Sequence, residues 1–265
     1  MNQLPRIVKD SFLRLIVPYV VFSFLGHLFY VLILLFENQA TFYLICVHPL
    51  KEFILRDAIA GNRPMWFLFS LFIIRILYSF FNCKKIHDIY IIIIGIALSL
   101  TLHIYHVSFP NILGQVCLGC SFYATGHLLK TKQYQLHYTI RYFLLAICIF
   151  NLTCIKAQIG FVNNSSESTF TYIIALFYSL SCCILFNVLA RRIVGRGGFS
   201  WITLIGKDSM SFYCTHWIVI VVFRTVLLEW FHLDNTEYFN ITICILVATL
   251  PAINYLLKKQ HWVKV

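Results

Sequence analysis

The sequence predicts an all-α, polytopic transmembrane protein, on the basis of its composition, its apolar runs and the placement of its basic residues. Of the 265 residues, 60% are hydrophobic and only 12% are charged, and the mean hydropathy is +0.80. A soluble domain is about 45–50% apolar and about 25% charged. One globular core could not bury this much apolar surface, so we expect lipid to solvate the chain.

The apolar runs predict about eight membrane spans, because each approaches the ~20 residues that cross ~30 Å of hydrocarbon. They cover Leu15 to Phe36, Trp66 to Phe81, Ile89 to Val107, Ile112 to Leu129, Tyr142 to Ile155, Phe170 to Ala190, Met210 to Trp230 and Phe239 to Leu257. The length and the continuity of these runs favour a single integral membrane domain over residues 1–265.

The basic residues alternate between loops in a way that supports this count, since Lys and Arg favour cytoplasmic loops. Clusters precede the first run, follow the second, fourth and sixth runs, and end the chain: Arg6, Lys9 and Arg14; Lys84 and Lys85; Lys130, Lys132 and Arg141; Arg191, Arg192, Arg196 and Lys207; Lys258, Lys259 and Lys264. Both termini are therefore expected in the cytoplasm. The net charge of +11 comes from these clusters and not from one basic stripe with interleaved aromatics, which argues against nucleic-acid binding.

The first outward loop, Glu37 to Met65, is longer than the others and carries charges of both signs. Residues Leu50 to Ile59 could form a short helix on the membrane interface. A solvated loop is the alternative, and the sequence does not decide between them.

The cysteines give no disulfide framework. Ten of them are spread through apolar segments, where they are expected as small packing residues. Cys117 and Cys120 match the C-x-x-C spacing, but they lie inside a predicted membrane helix without the surrounding βαβ pattern, which disfavours a redox or metal site. No metal-ligand cluster follows from spacing elsewhere.

Charged groups inside apolar runs are candidates for function, because a charge near the bilayer centre costs at least about 2.5–3.5 kcal/mol. Arg75 lies within the second run, where snorkelling to the interface is the alternative. Arg224 follows His216 by two helical turns and would share its helix face. His216 closes a helix start rich in Ser, Tyr and Thr, for which a packed polar seam is the alternative. The single imidazoles at His27, His103, His106 and His127 are expected as hydrogen-bonded packing groups.

Three stretches resemble the acyltransferase-3 family of bacterial inner-membrane O-acyltransferases. They read KDSFLRLIVPY from Lys9, RPMWFLFSLF from Arg63 and GKDSMSFYCTH from Gly206; GCSFYATGHLL from Gly119 is a looser match. The resemblance implies a fold of ten helices, and this chain looks like a member without the first two, one of which carries the family's catalytic histidine. The second Arg that members often place three positions before Arg14 is Ser11 here.

The resemblance also implies a reaction, in which an acyl group, typically acetyl, passes from acyl-CoA to a hydroxyl of a cell-surface carbohydrate. Arg14 would hold the phosphates of acyl-CoA at the cytoplasmic mouth, and Arg63 and Trp66 would contact the sugar at the outward end. His216 would be an auxiliary polar group or proton carrier. No bound cofactor or metal is implied, because acyl-CoA is the donor substrate.

A non-enzymatic membrane permease and an inactive family remnant are the alternative functions. A permease would bind its cargo without consuming acyl-CoA. The expected partners are the lipid bilayer, acyl-CoA and the carbohydrate acceptor; a partner polypeptide or a homo-oligomer stays open.

Overall fold

The structure is a computed structural model that describes residues 4–56, 62–107, 111–131, 138–150, 168–195, 209–224, 241–242 and 245. The regular elements in these ranges are helical. The α-helices are α1 (Leu4–Ser11), α2 (Val17–Phe36), α3 (His48–Arg56), α4 (Trp66–Cys83), α5 (Asp88–Ile104), α6 (Asn111–Thr131), α7 (Tyr138–Phe150), α8 (Thr169–Gly195) and α9 (Ser209–Arg224).

The all-α, multi-pass architecture predicted from the sequence is confirmed. Four helical segments in the described ranges are long and apolar enough to cross a membrane, namely Leu4–Phe36, Arg63–Cys83, Ile112–Lys130 and Thr169–Ala190, and the shorter apolar helix α5 spans Asp88–Ile104. The first helix begins at Leu4, eleven residues before the apolar run itself, because α1 and a π-helical turn continue into α2 without a break. Most of the predicted span Phe239 to Leu257 lies outside the described residues, so the count of eight stays a prediction.

Two π-helical turns, Phe12–Ile16 and Tyr43–Val47, have the same cause in the sequence. Each is followed two residues later by a proline, Pro18 in one case and Pro49 in the other. A proline has no N–H to donate to the carbonyl four residues earlier, and its ring clashes with that carbonyl in a regular α-helix. The wider turn relieves the clash while the helix continues, and turns of this kind are frequent at functional sites.

The loop between α2 and α4 contains a helix, as one of the two interpretations of the sequence expects. Helix α3 covers His48–Arg56, and the large apolar side chains Leu50 and Ile54 on it are exposed. The rest of the predicted interfacial helix, residues 57–59, lies outside the described residues.

The chain divides into two units. One comprises Met1 and Ile73–Ser200, and the other comprises Asn2–Phe72 and Trp201–Val265. We call the first the central unit and the second the terminal unit. The buried core of the terminal unit comes from α2, α4, α9 and the turns that precede α2 and α4; it contains Leu15, Tyr19, Phe22, Met65, Leu68 and Cys214.

The core of the central unit lies among α4, α5 and α6, and it contains Ile74, Tyr78, Ile91, Val116, Cys120 and Ala124. Small residues let α5 and α6 approach each other closely. A Cβ placed on Gly95 would stand 2.6 Å from the carbonyl oxygen of Cys117 and would overlap the hydroxyl of Ser121. That hydroxyl donates a hydrogen bond to the Ile92 carbonyl at 3.1 Å. Close packing of this kind is a principal source of helix association in membranes.

Candidate functional site

Residues far apart in the sequence meet in the core of the terminal unit. Tyr19, from the first basic and apolar stretch, stacks on Phe69 with ring centroids 5.8 Å apart. Phe12 meets Phe72 edge to face at 6.4 Å. These two pairs show that the beginning of α4 runs antiparallel to α2, and Cys214 of α9 is buried in the same core. The three stretches KDSFLRLIVPY, RPMWFLFSLF and GKDSMSFYCTH therefore contribute to one structural site.

Asn62 links the three parts of this site and was missed by the sequence analysis. It is fully buried, and its amide nitrogen donates hydrogen bonds to the carbonyl oxygens of Phe22 at 3.2 Å and Cys214 at 3.1 Å. Asn directly before Arg-Pro at a helix start suggests an N-cap. The side chain of Asn62 makes no capping hydrogen bond, so that local signal would not have predicted its contacts across the core.

A second link fixes the short 3-10 turn Arg63–Met65 that leads into α4. The Tyr213 hydroxyl of α9 donates a hydrogen bond to the carbonyl of Pro64. The Tyr213 ring also packs against Phe67 at 5.5 Å. Together with Asn62, this bond holds the 3-10 turn against α9. The position of the turn sets the positions of Arg63 and Trp66.

His216 lies one helical turn after Tyr213 and is oriented by it. The Nδ1 atom of His216 is 2.7 Å from the backbone carbonyl oxygen of Tyr213. A carbonyl only accepts, so Nδ1 carries the proton and donates it. In the neutral ring the lone pair therefore lies on Nε2, which is the nitrogen that can accept a proton from a substrate.

The turn that bears Arg63 lies beside the apolar helix α2. Asn62, which precedes Arg63 in the sequence, contacts Phe22. Phe22 lies inside α2, five residues from its Val17 end and fourteen from its Phe36 end. Irregular backbone at membrane depth is tolerated only where protein buries it or where it lines a water-filled cavity. Asn62 and Met65 are buried, whereas the Arg63 side chain is exposed. A guanidinium in this position requires a polar cavity or a partner.

Arg14 lies within the first π-helical turn, and its side chain is exposed. In a regular α-helix the N–H of residue 18 would donate to the Arg14 carbonyl, but Pro18 has no N–H. The distortion of the helix is therefore centred on Arg14. Phe22, which marks the level of Asn62, lies eight residues beyond Arg14, or about 12 Å along a helix axis. This is well below the ~30 Å of hydrocarbon. Along the helix axis, Arg14 is therefore separated from the level of the Arg63 turn by much less than the thickness of the bilayer.

The Arg63 guanidinium lies within electrostatic reach of the Tyr30 phenol on α2. The charges of Arg63, Glu37 and Glu52 act on the phenol of Tyr30, and the Tyr30 ring stacks on His48 with centroids 6.4 Å apart. Glu52 itself is buried. The Arg63 side chain therefore belongs with polar groups of α2 and α3, and the sequence analysis did not identify any of these partners.

His27 also lies on α2, three residues before Tyr30, and it is not an isolated group. Its ring interacts electrostatically with the backbone of Ile45 and lies 6.4 Å from the Tyr30 ring, centroid to centroid. Pro49 removes the N–H that would bond to the Ile45 carbonyl in a regular helix. The hydrogen-bonded packing role that the sequence predicts for His27 stays a prediction, since its Nδ1 atom is buried without a hydrogen-bond partner among the described residues.

The acyltransferase domain model of the acyltransferase-3 family matches residues 2–257. The chain belongs to the acyltransferase-3 family. No curated protein and no solved structure gives a significant match. The three stretches on which the resemblance rests are the ones that meet in the terminal unit, so this acyltransferase-3 chain gathers Arg14, Arg63, Trp66 and His216 in one unit.

Of the other predicted site residues, Arg75 lies outside this arrangement, and the side chain of Arg224 is not described. Arg75 lies nine residues after Trp66 on α4, but it belongs to the central unit, and its carbonyl accepts a hydrogen bond from the Ser79 hydroxyl at 2.7 Å. Its side chain is half-buried. Arg224 is the last residue of α9, and its side chain is outside the described structure. The roles of both residues stay predictions.

The central unit of this acyltransferase-3 chain contains a polar cluster that the sequence analysis missed. The Asp88 carboxylate accepts a hydrogen bond from the Tyr78 hydroxyl at 2.6 Å and lies 2.9 Å from Nδ1 of His127. The cluster joins α4, α5 and α6. The sequence predicts His127 as a hydrogen-bonded packing group, and its partner is a carboxylate in the first turn of α5. Asp88 lies 10 residues from Tyr78 and 39 residues from His127 in the sequence, and no local motif connects the three residues.

Metal coordination has no support among the side chains that the structure describes, since no group of three His, Cys, Asp or Glu residues there could hold an ion.

Proposed function

We propose that this acyltransferase-3 chain transfers an acyl group, typically acetyl, from acyl-CoA to a hydroxyl of a cell-surface carbohydrate at the inner membrane, with both termini in the cytoplasm. The single observation that supports this most strongly is that the segments bearing Arg14, Arg63 with Trp66, and His216 pack around one core in the terminal unit. The positive-inside distribution of Lys and Arg supports the orientation.

Arg14 supplies the contact with the donor in this proposal. A guanidinium binds phosphate oxygens through two parallel hydrogen bonds, which a lysine ammonium does not reproduce. Acyl-CoA carries its phosphates at one end and its thioester at the other, joined by an extended arm. The separation of about 12 Å between Arg14 and the Phe22 level lets that arm place the thioester near the turn.

Arg63 and Trp66 supply the contact with the acceptor. The turn holds both residues against α2 and α9, and the charge of Arg63 acts on the Tyr30 phenol beside Glu52 and His48. Sugars present hydroxyls that both donate and accept, together with apolar ring faces. A mixed group of aromatic rings, a carboxylate and a guanidinium matches both kinds of surface.

His216 moves the proton. The acceptor hydroxyl oxygen attacks the thioester carbonyl carbon, the new C–O bond forms, and the C–S bond breaks. The hydroxyl proton passes to Nε2 of His216 and then to the departing CoA sulfur, so the products are an ester and the CoA thiol. The Tyr213 carbonyl keeps the ring in the tautomer that this step requires.

The test is the transfer of radiolabelled acetyl groups from acetyl-CoA to carbohydrate in membranes that contain the chain. We expect Arg14→Ala, Arg63→Ala and Trp66→Ala each to lower this transfer by at least tenfold, because each removes a substrate contact. Arg6→Ala is the matched control for Arg14, since Arg6 is an exposed arginine on the same continuous helix. Trp66→Phe should retain part of the activity because it keeps an aromatic face.

Either of two results would reject the proposal. If wild-type membranes bind a carbohydrate but leave acetyl-CoA intact, the permease alternative is favoured. If all three variants keep wild-type transfer, the chain is an acyltransferase whose substrates bind elsewhere.

A further inference from the structure

A crevice between α7 and α8 in the central unit is not used by the proposed reaction. Its volume is about 580 Å³. Apolar side chains such as Leu145, Leu185 and Leu189 form its walls, and its few polar groups include Tyr142 and Arg192 at one end. Toward the other end Cys148 of α7 and Cys182 of α8 approach each other, with their sulfur atoms 3.5 Å apart.

The crevice has Tyr142 and Arg192 at one end and Tyr178 at the other, with apolar side chains between them. The two helices pack against each other with their chain directions opposed, since Tyr142 and Arg192 line one end while Cys148 meets Cys182 toward the other. Ten residues separate Cys182 from Arg192 on α8, which corresponds to about 15 Å. The lining continues one helical turn beyond Cys182 to Tyr178, so the crevice is somewhat longer than half of the ~30 Å hydrocarbon thickness.

The polar end carries positive charge. Arg192 is exposed there. A guanidinium at headgroup level binds a phosphate through charge-assisted hydrogen bonds. Basic residues at a cytoplasmic membrane surface attract anionic lipids in the same way.

We propose that this crevice binds one anionic phospholipid, with its phosphate on Arg192, its headgroup near Tyr142 and one acyl chain between α7 and α8. The positive charge at the mouth matches an anionic headgroup, and the apolar walls match an acyl chain. The crevice therefore suits a membrane lipid better than a soluble anion. The proposal is independent of the acyl transfer reaction, because the crevice contains none of the residues assigned to it.

Native mass spectrometry of the detergent-purified full chain tests the proposal, with phosphatidylglycerol and phosphatidylcholine of identical acyl chains as probes. We expect the chain to prefer phosphatidylglycerol by roughly fivefold or more, as one basic contact at the membrane surface provides. Arg192→Gln should remove most of that preference. Lys84→Gln changes an exposed cation in the turn between α4 and α5 and should leave the preference unchanged.

A second variant tests the part of the crevice that is proposed to bind the lipid acyl chain. Leu189 is half exposed, so Leu189→Trp should fill the crevice without disturbing the core, and it should weaken binding of both lipids. Wild-type lipid binding and selectivity in both Arg192→Gln and Leu189→Trp would overturn the proposal. Occupancy by palmitoyl-CoA under conditions in which phosphatidylglycerol does not bind would also overturn it, because the crevice would then be a donor site.

Discussion

Replacing His216 with alanine is expected to lower acetyl transfer by two to four orders of magnitude, the usual contribution of a positioned acid or base. The reason is geometric. The Tyr213 carbonyl accepts a hydrogen bond from Nδ1 of the ring at 2.7 Å, so in the proposed reaction Nε2 is the atom that accepts the hydroxyl proton. The measurement is the initial rate of radiolabelled acetyl transfer in membranes that contain equal amounts of inserted protein.

Tyr213→Phe is the matched control, because it separates the two roles of α9. It removes the hydroxyl that bonds to the Pro64 carbonyl but keeps the backbone carbonyl that orients His216. We expect a smaller loss, arising from looser positioning of Arg63 and Trp66. Added imidazole should restore part of the rate to His216→Ala and none to Tyr213→Phe. Equal rates in wild type and His216→Ala would show that the ring carries no proton in the reaction.

Gly95→Ala is expected to destabilise the chain by about 1–3 kcal/mol, the range for overpacking a close contact. The added methyl would stand 2.6 Å from the Cys117 carbonyl oxygen, which is backbone of α6 and moves only with its helix. It would also overlap the Ser121 hydroxyl and disturb the bond from that hydroxyl to the Ile92 carbonyl. Unfolding of the purified protein by SDS in mixed micelles measures the difference.

Gly126→Ala provides the comparison on α6. A Cβ at Gly126 meets nothing within 4 Å, and alanine stabilises a helix interior relative to glycine by up to about 1 kcal/mol. We expect this variant to be neutral or slightly more stable than wild type. If Gly95→Ala and Gly126→Ala have the same stability, α5 and α6 do not approach each other as closely as described.

The fold class follows from hydropathy because a membrane imposes a simple rule: each span must be a long apolar helix that satisfies its own backbone. The apolar runs therefore locate the helices, although they do not locate the helix ends. The first helix starts at Leu4 because the amphipathic helix α1 continues through the π-helical turn into α2. The apolar run begins later, because the polar residues of α1 do not count as part of it.

The site was predictable only where residue type and local sequence carry the signal. His216 was singled out by its polar surroundings, whereas Arg14, Arg63 and Trp66 were predicted from the family resemblance, and the roles of all four stay predictions. Asn62 and the Asp88 cluster were not predicted, because their function depends on partners 40 to 152 residues away for Asn62 and 10 to 39 residues away for Asp88. An amide or a carboxylate beside a helix start suggests a cap, and only the packing of the helices shows that it joins other elements.

Product stoichiometry tests the central claim most directly. Purified wild-type protein is reconstituted into liposomes with acetyl-CoA and a carbohydrate acceptor, and free CoA thiol and carbohydrate-bound acetyl ester are measured over time. Acyl transfer predicts that the two products appear together in equal amounts and that both disappear in His216→Ala. Carbohydrate binding or uptake without release of CoA thiol would contradict the account.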